Sequence, residues 1–296
     1  MRDVFSTFHP VINLLFFLLV LTFSMFFTHP ACLLISMTSA LIYSIHLKGR
    51  QALAFAGIFL LPMVLFTALI NPLLNHRGGT ILAYLPNGNP ITLESVVFGV
   101  AAAVMLVAVI CWFSCFNVIM TSDKLVFLFG RVIPALSLLL SMTLRFVPRF
   151  RAQLKVIAEA QKGIGRDATV GSWLRRLGQG MRIISIMVTW ALENAIDTAD
   201  SMKGRGYGLP GRTAFSLYTF GRRDGIALVF LLITSLYIIT GALSGGLYFR
   251  YFPTIKGDGF SIYTLSLGLA YTALCLMPVI LDLREAYRWK AMRSKT

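Results

Sequence analysis

Two short stretches carry the chemistry this sequence offers, and each is a glycine- and arginine-rich ending to a helical pattern. AEAQKGIGRD closes an amphipathic run from about Arg149 to Lys162 at Gly163 and Gly165. ENAIDTADSMKGRGYGLPGRT closes a second run, from about Arg182 to Lys203, at Gly204 and Gly206. Glycine just past a periodic segment stops a helix because it alone takes the left-handed conformation without steric cost. Arg166 and Arg205 then stand just beyond two helix ends as exposed basic tips. An isolated Gly-Arg after a helix is ordinarily a solvated cap, but the second helix argues for more. Ile183, Ile184, Met187, Trp190, Ala191, Ala195, Ile196 and Met202 give it a broad apolar face, and Glu193, Asp197 and Asp200 share one line. At 1.5 Å per residue it would carry its tip about 30 Å from its base.

The other motifs lead to no reaction. Gly206-x-Gly208-x-x-Gly211 has dinucleotide-loop spacing but follows a helix rather than a strand and holds Pro210. A Gly-x-x-x-x-Gly-Lys-Ser/Thr phosphate loop is absent. The four histidines are scattered with no His-x-x-x-His pair. Cys32, Cys111, Cys115 and Cys275 lie in or beside apolar runs with no Cys-x-x-Cys pair, as packing residues do. Acidic residues are nearly missing from the apolar segments, and Asp282 falls at the end of one, so no carboxylate pair offers a proton or sodium path. The expectation is a chain without catalytic residues, metal site or cofactor.

The elements that must position the tips are membrane spans. The chain is 57% hydrophobic and 13% charged, with a mean hydropathy of +0.76, a membrane composition. Spans are expected at Val11–Phe27, Ala31–Leu47, Leu53–Leu74, Ser95–Phe116, Ile226–Leu247 and Ser261–Leu283. The first is read as a helix rather than a signal peptide, since Arg2 and Asp3 cancel and no Ala-x-Ala site follows. Leu125–Val147 is apolar but broken by Gly130, Arg131, Pro134 and Arg145. An arginine at the bilayer centre costs about 2.5–3.5 kcal/mol. A kinked helix pair at the interface, packed under the bundle, is therefore expected after the Thr121-Ser122-Asp123 start signal. The fold class is an all-α integral membrane protein of about six transmembrane helices plus a cytoplasmic coupling-helix module. Its domains are 1–124 with four spans, 125–225 as the module, and 226–296 with two spans and a basic tail.

Charge sets the orientation. With the N-terminus in the cytoplasm, the external loops hold Arg77, Arg250 and Lys256, leaving all but three of the 27 Lys and Arg at or near the cytoplasmic side. The reading is a multi-pass protein of the cell (plasma) membrane with both termini cytoplasmic, in contact with the lipid bilayer.

The sequence resembles the T component of energy-coupling factor (ECF) transporters, the membrane scaffold of vitamin and metal-ion importers. The resemblance rests on HPVINLLFFLLVLTFS, NPLLNHRGGT, NGNPIT, TSDKLVFLFGRVIPALSLLLSMTLRFVPRF, AEAQKG, TADSMKGRGYG, GRT and GRRD. It implies that each coupling helix ends in an Ala-Arg-Gly motif that docks into one of two cytosolic ABC-type ATPases. The second motif maps onto Gly204-Arg205-Gly206, flanked by Lys203 and Tyr207. The first maps onto Gly163-Ile164-Gly165, where Ile164 replaces the arginine and Lys162 or Arg166 would supply the charge. The resemblance also implies supporting roles in the module for Arg145, Pro148, Arg149 and Asp200. The implied partners are two ABC-type ATPase subunits and a small integral membrane substrate-binding (S) subunit for a vitamin or transition-metal ion, with no nucleic acid. A membrane-embedded enzyme acting on a lipid-linked phosphate, or an anchor gripping acidic lipid or nucleic acid with its basic face, are the alternative readings.

Overall fold

The structure is a computed structural model, and it describes residues 3–84, 89–132, 134–207, 209, 218–257 and 261–293. The chain divides into two compact units, Met1–Lys124 with Tyr218–Thr296, and Leu125–Leu217.

The first unit is a helical bundle. After a short 3-10 turn at Phe5–Thr7 come α1 (Pro10–Phe26) and α2 (Pro30–Lys48). Both open on His-Pro. The histidine Nδ1 accepts the N–H of Val11 or Ala31, while proline fills the first helical position, where no donor is needed. Gly49 (φ 58°) ends α2, and α3 (Arg50–Phe55), a π-helical turn (Ala56–Leu60) and α4 (Leu61–Leu74) follow as one run. The widened turn lies just before Pro62, whose ring would otherwise meet the carbonyl of residue 58. A hairpin of β1 (Ile81–Tyr84) and β2 (Pro90–Thr92), pairing Ala83 with Ile91, leads into α5 (Leu93–Ile119). The unit resumes with α9 (Arg222–Leu243), the two-residue strands β3 (Phe249–Arg250) and β4 (Lys256–Gly257), and α10 (Ile262–Arg293).

Among the described residues, five helices are long and apolar enough to cross a membrane: Pro30–Lys48, Arg50–Leu74, Leu93–Ile119, Arg222–Leu243 and Ile262–Arg288. The first expected span, α1, has 17 residues and falls just short of that length. The expected end of the last span, Leu283, is also overrun, because α10 continues through the basic tail to Arg293. Leu53, Phe55, Ile58, Leu61, Leu65, Phe66 and Leu69 of the α3–α4 run stay exposed, as residues facing acyl chains must. The bundle core is aromatic: Phe5, Phe16, Phe17, Tyr43, Trp112 and Tyr271 are all essentially buried. Within it, Trp112 Nε1 donates to Ser36 Oγ (3.1 Å), which lies 2.6 Å from Ser24 Oγ, itself 3.3 Å from Tyr271 OH. This network joins α1, α2, α5 and α10 and satisfies polar groups that lipid cannot. All four cysteines are free and buried.

The two ends of the bundle differ. At one, Val4 N donates to Asp282 (2.7 Å), His46 Nδ1 lies 3.4 Å from Asp282, and His9 N donates to Asp224 (3.0 Å). At the other, Tyr251 OH donates to Thr28 O (2.8 Å), Gly79 N donates to Pro253 O (3.1 Å), and buried Glu94 accepts from Thr80.

The second unit holds most of α6 (Ser122–Val132), then α7 (Pro134–Gly163) and α8 (Trp173–Gly204). Two expected starts are corrected. α7 begins at Pro134 rather than near Arg149 and runs straight through Pro148. Proline removes one backbone donor, but the remaining turns continue the helix; residue 133, between α6 and α7, lies outside the described residues. α8 begins at Trp173 rather than near Arg182, with Gly178 and Gly180 in its interior. Each glycine costs about 1 kcal/mol relative to alanine, too little to stop a helix whose neighbouring turns form. At 32 residues α8 is about 48 Å long rather than about 30 Å.

Candidate docking tips

The ends of α7 and α8 share two hydrogen bonds at equivalent positions. On α7, Arg166 N donates to Gln161 O (2.9 Å) and Gly165 N to Lys162 O (3.0 Å). On α8, Tyr207 N donates to Met202 O (3.1 Å) and Gly206 N to Lys203 O (2.9 Å). Each pair of bonds is a Schellman closure, which needs a left-handed residue next to last. Gly165 (φ 77°) and Gly206 (φ 73°) supply it, whereas Gly163 and Gly204 are simply the last helical residues. The closure puts Ile164 where the other tip has Arg205, Arg166 opposite Tyr207, and Lys162 opposite Lys203. The correspondence of Gly163-Ile164-Gly165 with Gly204-Arg205-Gly206 is thus geometric as well as sequential.

The electrostatics of the tips differ. Lys162 Nζ lies 3.6 Å from Asp167 Oδ2. Asp167 Oδ1 accepts from Thr169 N (2.8 Å) and Thr169 Oγ1 (2.7 Å), and these bonds, aided by Lys162, hold its carboxyl below the usual carboxylate range. At the first tip, then, the lysine is engaged within its own loop and Ile164 stands out, 62% exposed. At the second, Lys203 lies 4.0 Å from Asp200 on a solvated surface, while Arg205 is exposed and has no ion pair among the described residues. A guanidinium free of internal partners offers all its donors to another surface.

Of the residues expected to support the module, Arg149 sits 5.6 Å over the Trp190 ring. Phe150 meets the same ring edge-on at 5.6 Å and stacks with Phe146 at 5.8 Å. This aromatic contact joins α7 to α8, with Ile157 and Ile183 buried in the same unit. Arg145 and Pro148 lie on exposed positions of α7, and Asp200 faces Lys203. The apolar face expected on α8 divides in two. Ile183, Met187, Trp190 and Met202 are at least partly covered, whereas Ile184 and Ile196, with Ile186, Val188 and Leu192, remain exposed. The dinucleotide-like run begins at Gly206 on a helix end, and its Gly208, Pro210 and Gly211 lie outside the described residues. Among the described residues no three His, Cys, Asp or Glu cluster at metal-binding distances.

Residues 1–215 match the family model for the cobalt transport protein CbiQ. The chain belongs to that family. It is a T component, a membrane protein of energy-coupling factor transporters. Relatives named energy-coupling factor transporter transmembrane protein EcfT occur in Listeria innocua (35% identical over 34% of this chain and 38% of the relative) and Lactococcus lactis subsp. cremoris (31% over 35% and 40%). Another, from Brevibacillus brevis, is 35% identical over 35% of this chain and 39% of the relative. The chain thus spans about two fifths of the length of these curated relatives.

Sequence reasoning passed over several residues that the bundle uses: the capping His9 and His29, and the buried Lys124 and Asp224. The repeated His-Pro was a usable signal for the caps. For Lys124 and Asp224 the local bonds to Ile119 O and Gly221 N give no sign of their distant partners, Ser6 and His9.

Proposed function

We propose that this T component is the scaffold and energy-transducing subunit of an ECF-type ABC importer. Two cytosolic ATPases take the tips at Lys162–Arg166 and Lys203–Tyr207, and a small substrate-binding membrane subunit rests on the module. The observation that carries this reading is the shared Schellman closure, which presents Ile164 and Arg205 identically at the ends of two helices joined through Trp190. A pair of matched tips suits a pair of related docking grooves. The uncovered apolar residues Ile184, Ile186, Val188, Leu192 and Ile196 favour a membrane-embedded partner. The cargo is a vitamin or a transition-metal ion, and the chain itself turns nothing over.

The bundle's two ends support a topology with both termini and the tips in the cytoplasm. Residues 3–9, Lys124, Asp224 and Asp282 share one end, whereas Arg77, Arg250 and Lys256 belong to loops at the other. The test is composition: the tagged chain, purified in mild detergent, is expected to carry two ATP-binding subunits and one small membrane protein. Robust ATP hydrolysis by the chain alone would refute the assignment.

A further inference from the structure

We propose that the N-terminal segment Asp3–His9 is a clasp fixing both points at which the module's chain leaves and re-enters the bundle, with Lys124 and Asp224 as its positioning residues. Lys124 is the last residue of the bundle unit before the module, and Tyr218 is the first after it. Lys124 is 5% exposed, yet its ammonium meets no carboxylate within ion-pair distance among the described residues. It donates instead to Ser6 O (2.6 Å) and to Ile119 O (3.0 Å) at the C-terminal end of α5. The Asn13 amide, turned so that its nitrogen donates to Phe5 O (3.0 Å), gives Lys124 a third acceptor at 2.8 Å.

A buried ammonium is costly unless its donors are used. Here they are used by three elements, one of them a helix C-terminus whose partial negative charge favours a cation. Burial lowers the Lys124 pKa, and the charge of nearby Asp3 opposes that shift. A leucine would fill the same space; a lysine ties the elements together.

The returning strand of chain is held by the same segment. Asp224, 8% exposed, accepts from His9 N (3.0 Å) with Oδ1 and from Gly221 N (2.9 Å) with Oδ2, and Arg223 lies 6.0 Å from the Phe8 ring. Phe5, Phe8 and His9 are buried, and Val4 N is bound by Asp282. Seven residues far from the module in sequence therefore grip both of its roots. A lever transmits displacement only if its roots do not yield, and the clasp holds both roots to the bundle when the tips are pulled. This deepens the transducer reading and depends on it for its biological meaning.

The test uses the full chain, purified with whatever ATPases it retains and placed in lipid nanodiscs. Spin labels at Arg77→Cys in the bundle and Val170→Cys in the module, both exposed sites, report the distance distribution by pulsed electron resonance. Spectra are taken with and without ATP plus vanadate. Lys124→Met and His9→Pro are expected to at least double the width of the distribution and to erase any nucleotide-dependent shift, with bound ATPase and its hydrolysis rate within twofold of the parent. His9 already has φ −56°, which proline adopts, so that variant removes the N–H given to Asp224 with little backbone cost. His9→Ala keeps that N–H and is expected to keep the narrow distribution. Lys124→Arg is expected to restore most of the width lost in Lys124→Met.

Ser36→Ala serves as control. It breaks the buried serine network and should lower the unfolding temperature without broadening the distribution. The clasp is overturned if Lys124→Met and His9→Pro keep the parental width, or if Ser36→Ala broadens it equally. Absence of ATPases from the parent would instead refute the transducer reading, and the widths would still judge the clasp. If Lys124→Met does not accumulate, the His9→Pro and His9→Ala pair decides alone.

Discussion

Replacing Arg205 by alanine separates a docking tip from a solvated helix cap. The backbone there (φ −87°, ψ 8°) is open to alanine, and the Schellman bonds run from Gly206 N and Tyr207 N, so the closure survives the change. What the helix itself loses is one cation at its C-terminal end, worth about 0.3–1 kcal/mol. Docking loses far more, because removing one partner of a buried, hydrogen-bonded charge pair costs about 2–5 kcal/mol. At roughly 1.4 kcal/mol per tenfold, that is well over tenfold in affinity. Retention of ATPases is measured by pull-down at matched expression, together with thermal unfolding of the chain. Arg205→Ala is expected to lose its ATPases with the unfolding temperature almost unchanged, and Arg205→Glu to be worse. Arg166→Ala is expected to cost less, since Arg166 corresponds to Tyr207 rather than to Arg205. Gly206→Ala is a second route to the same loss, through the φ of 73° that it strains. Wild-type retention by Arg205→Ala would sink the docking argument.

Three further outcomes follow from the bundle. Cysteine at Gly79, where an added Cβ makes only ordinary contacts, is expected to react with an impermeant thiol reagent on intact cells and cysteine at Val170 is not; the opposite pattern would reverse the topology. Burial, then the hydrogen bond to and charge of Asp282, push the Asp3 carboxyl up to about 7 from 3.8. Its favourable contribution is therefore complete at acid pH and is lost as pH rises through about 7, because the folded chain holds the extra proton. Asp3→Asn, a permanently neutral mimic, should match the parent at about pH 2.5, below the unfolded carboxyl's value, where Asp3 is protonated in either state, and unfold at a higher temperature at pH 8; equal pH profiles would refute this. A methyl at Gly241 would overlap the fully buried Leu267 side chain. Gly241→Val is accordingly expected to destabilise the bundle by about 1–3 kcal/mol, with partial rescue by Leu267→Ala, and failure of that rescue would deny the close approach of α9 and α10.

The sequence by itself determined what depends on neighbours along the chain. Apolar runs long enough for a bilayer announce themselves, and the glycines that end α7 and α8 act through backbone sterics within one turn. The membrane class, the family resemblance and the two tips were therefore legible without coordinates. The starts of α7 and α8 were not, because Pro148, Gly178 and Gly180 are local penalties of a size that the turns on either side outweigh. The equivalence of Ile164 and Arg205 was visible as spacing, but only the hydrogen bonds to Gln161 and Met202 make it structural. Least legible of all was the clasp. Lys124 and Asp224 are ordinary charged residues in sequence, and their roles come from Ser6 and His9, more than a hundred positions away. Folding must bring such distant groups together before burial can make their hydrogen bonds obligatory, and so only the tertiary structure assigns them.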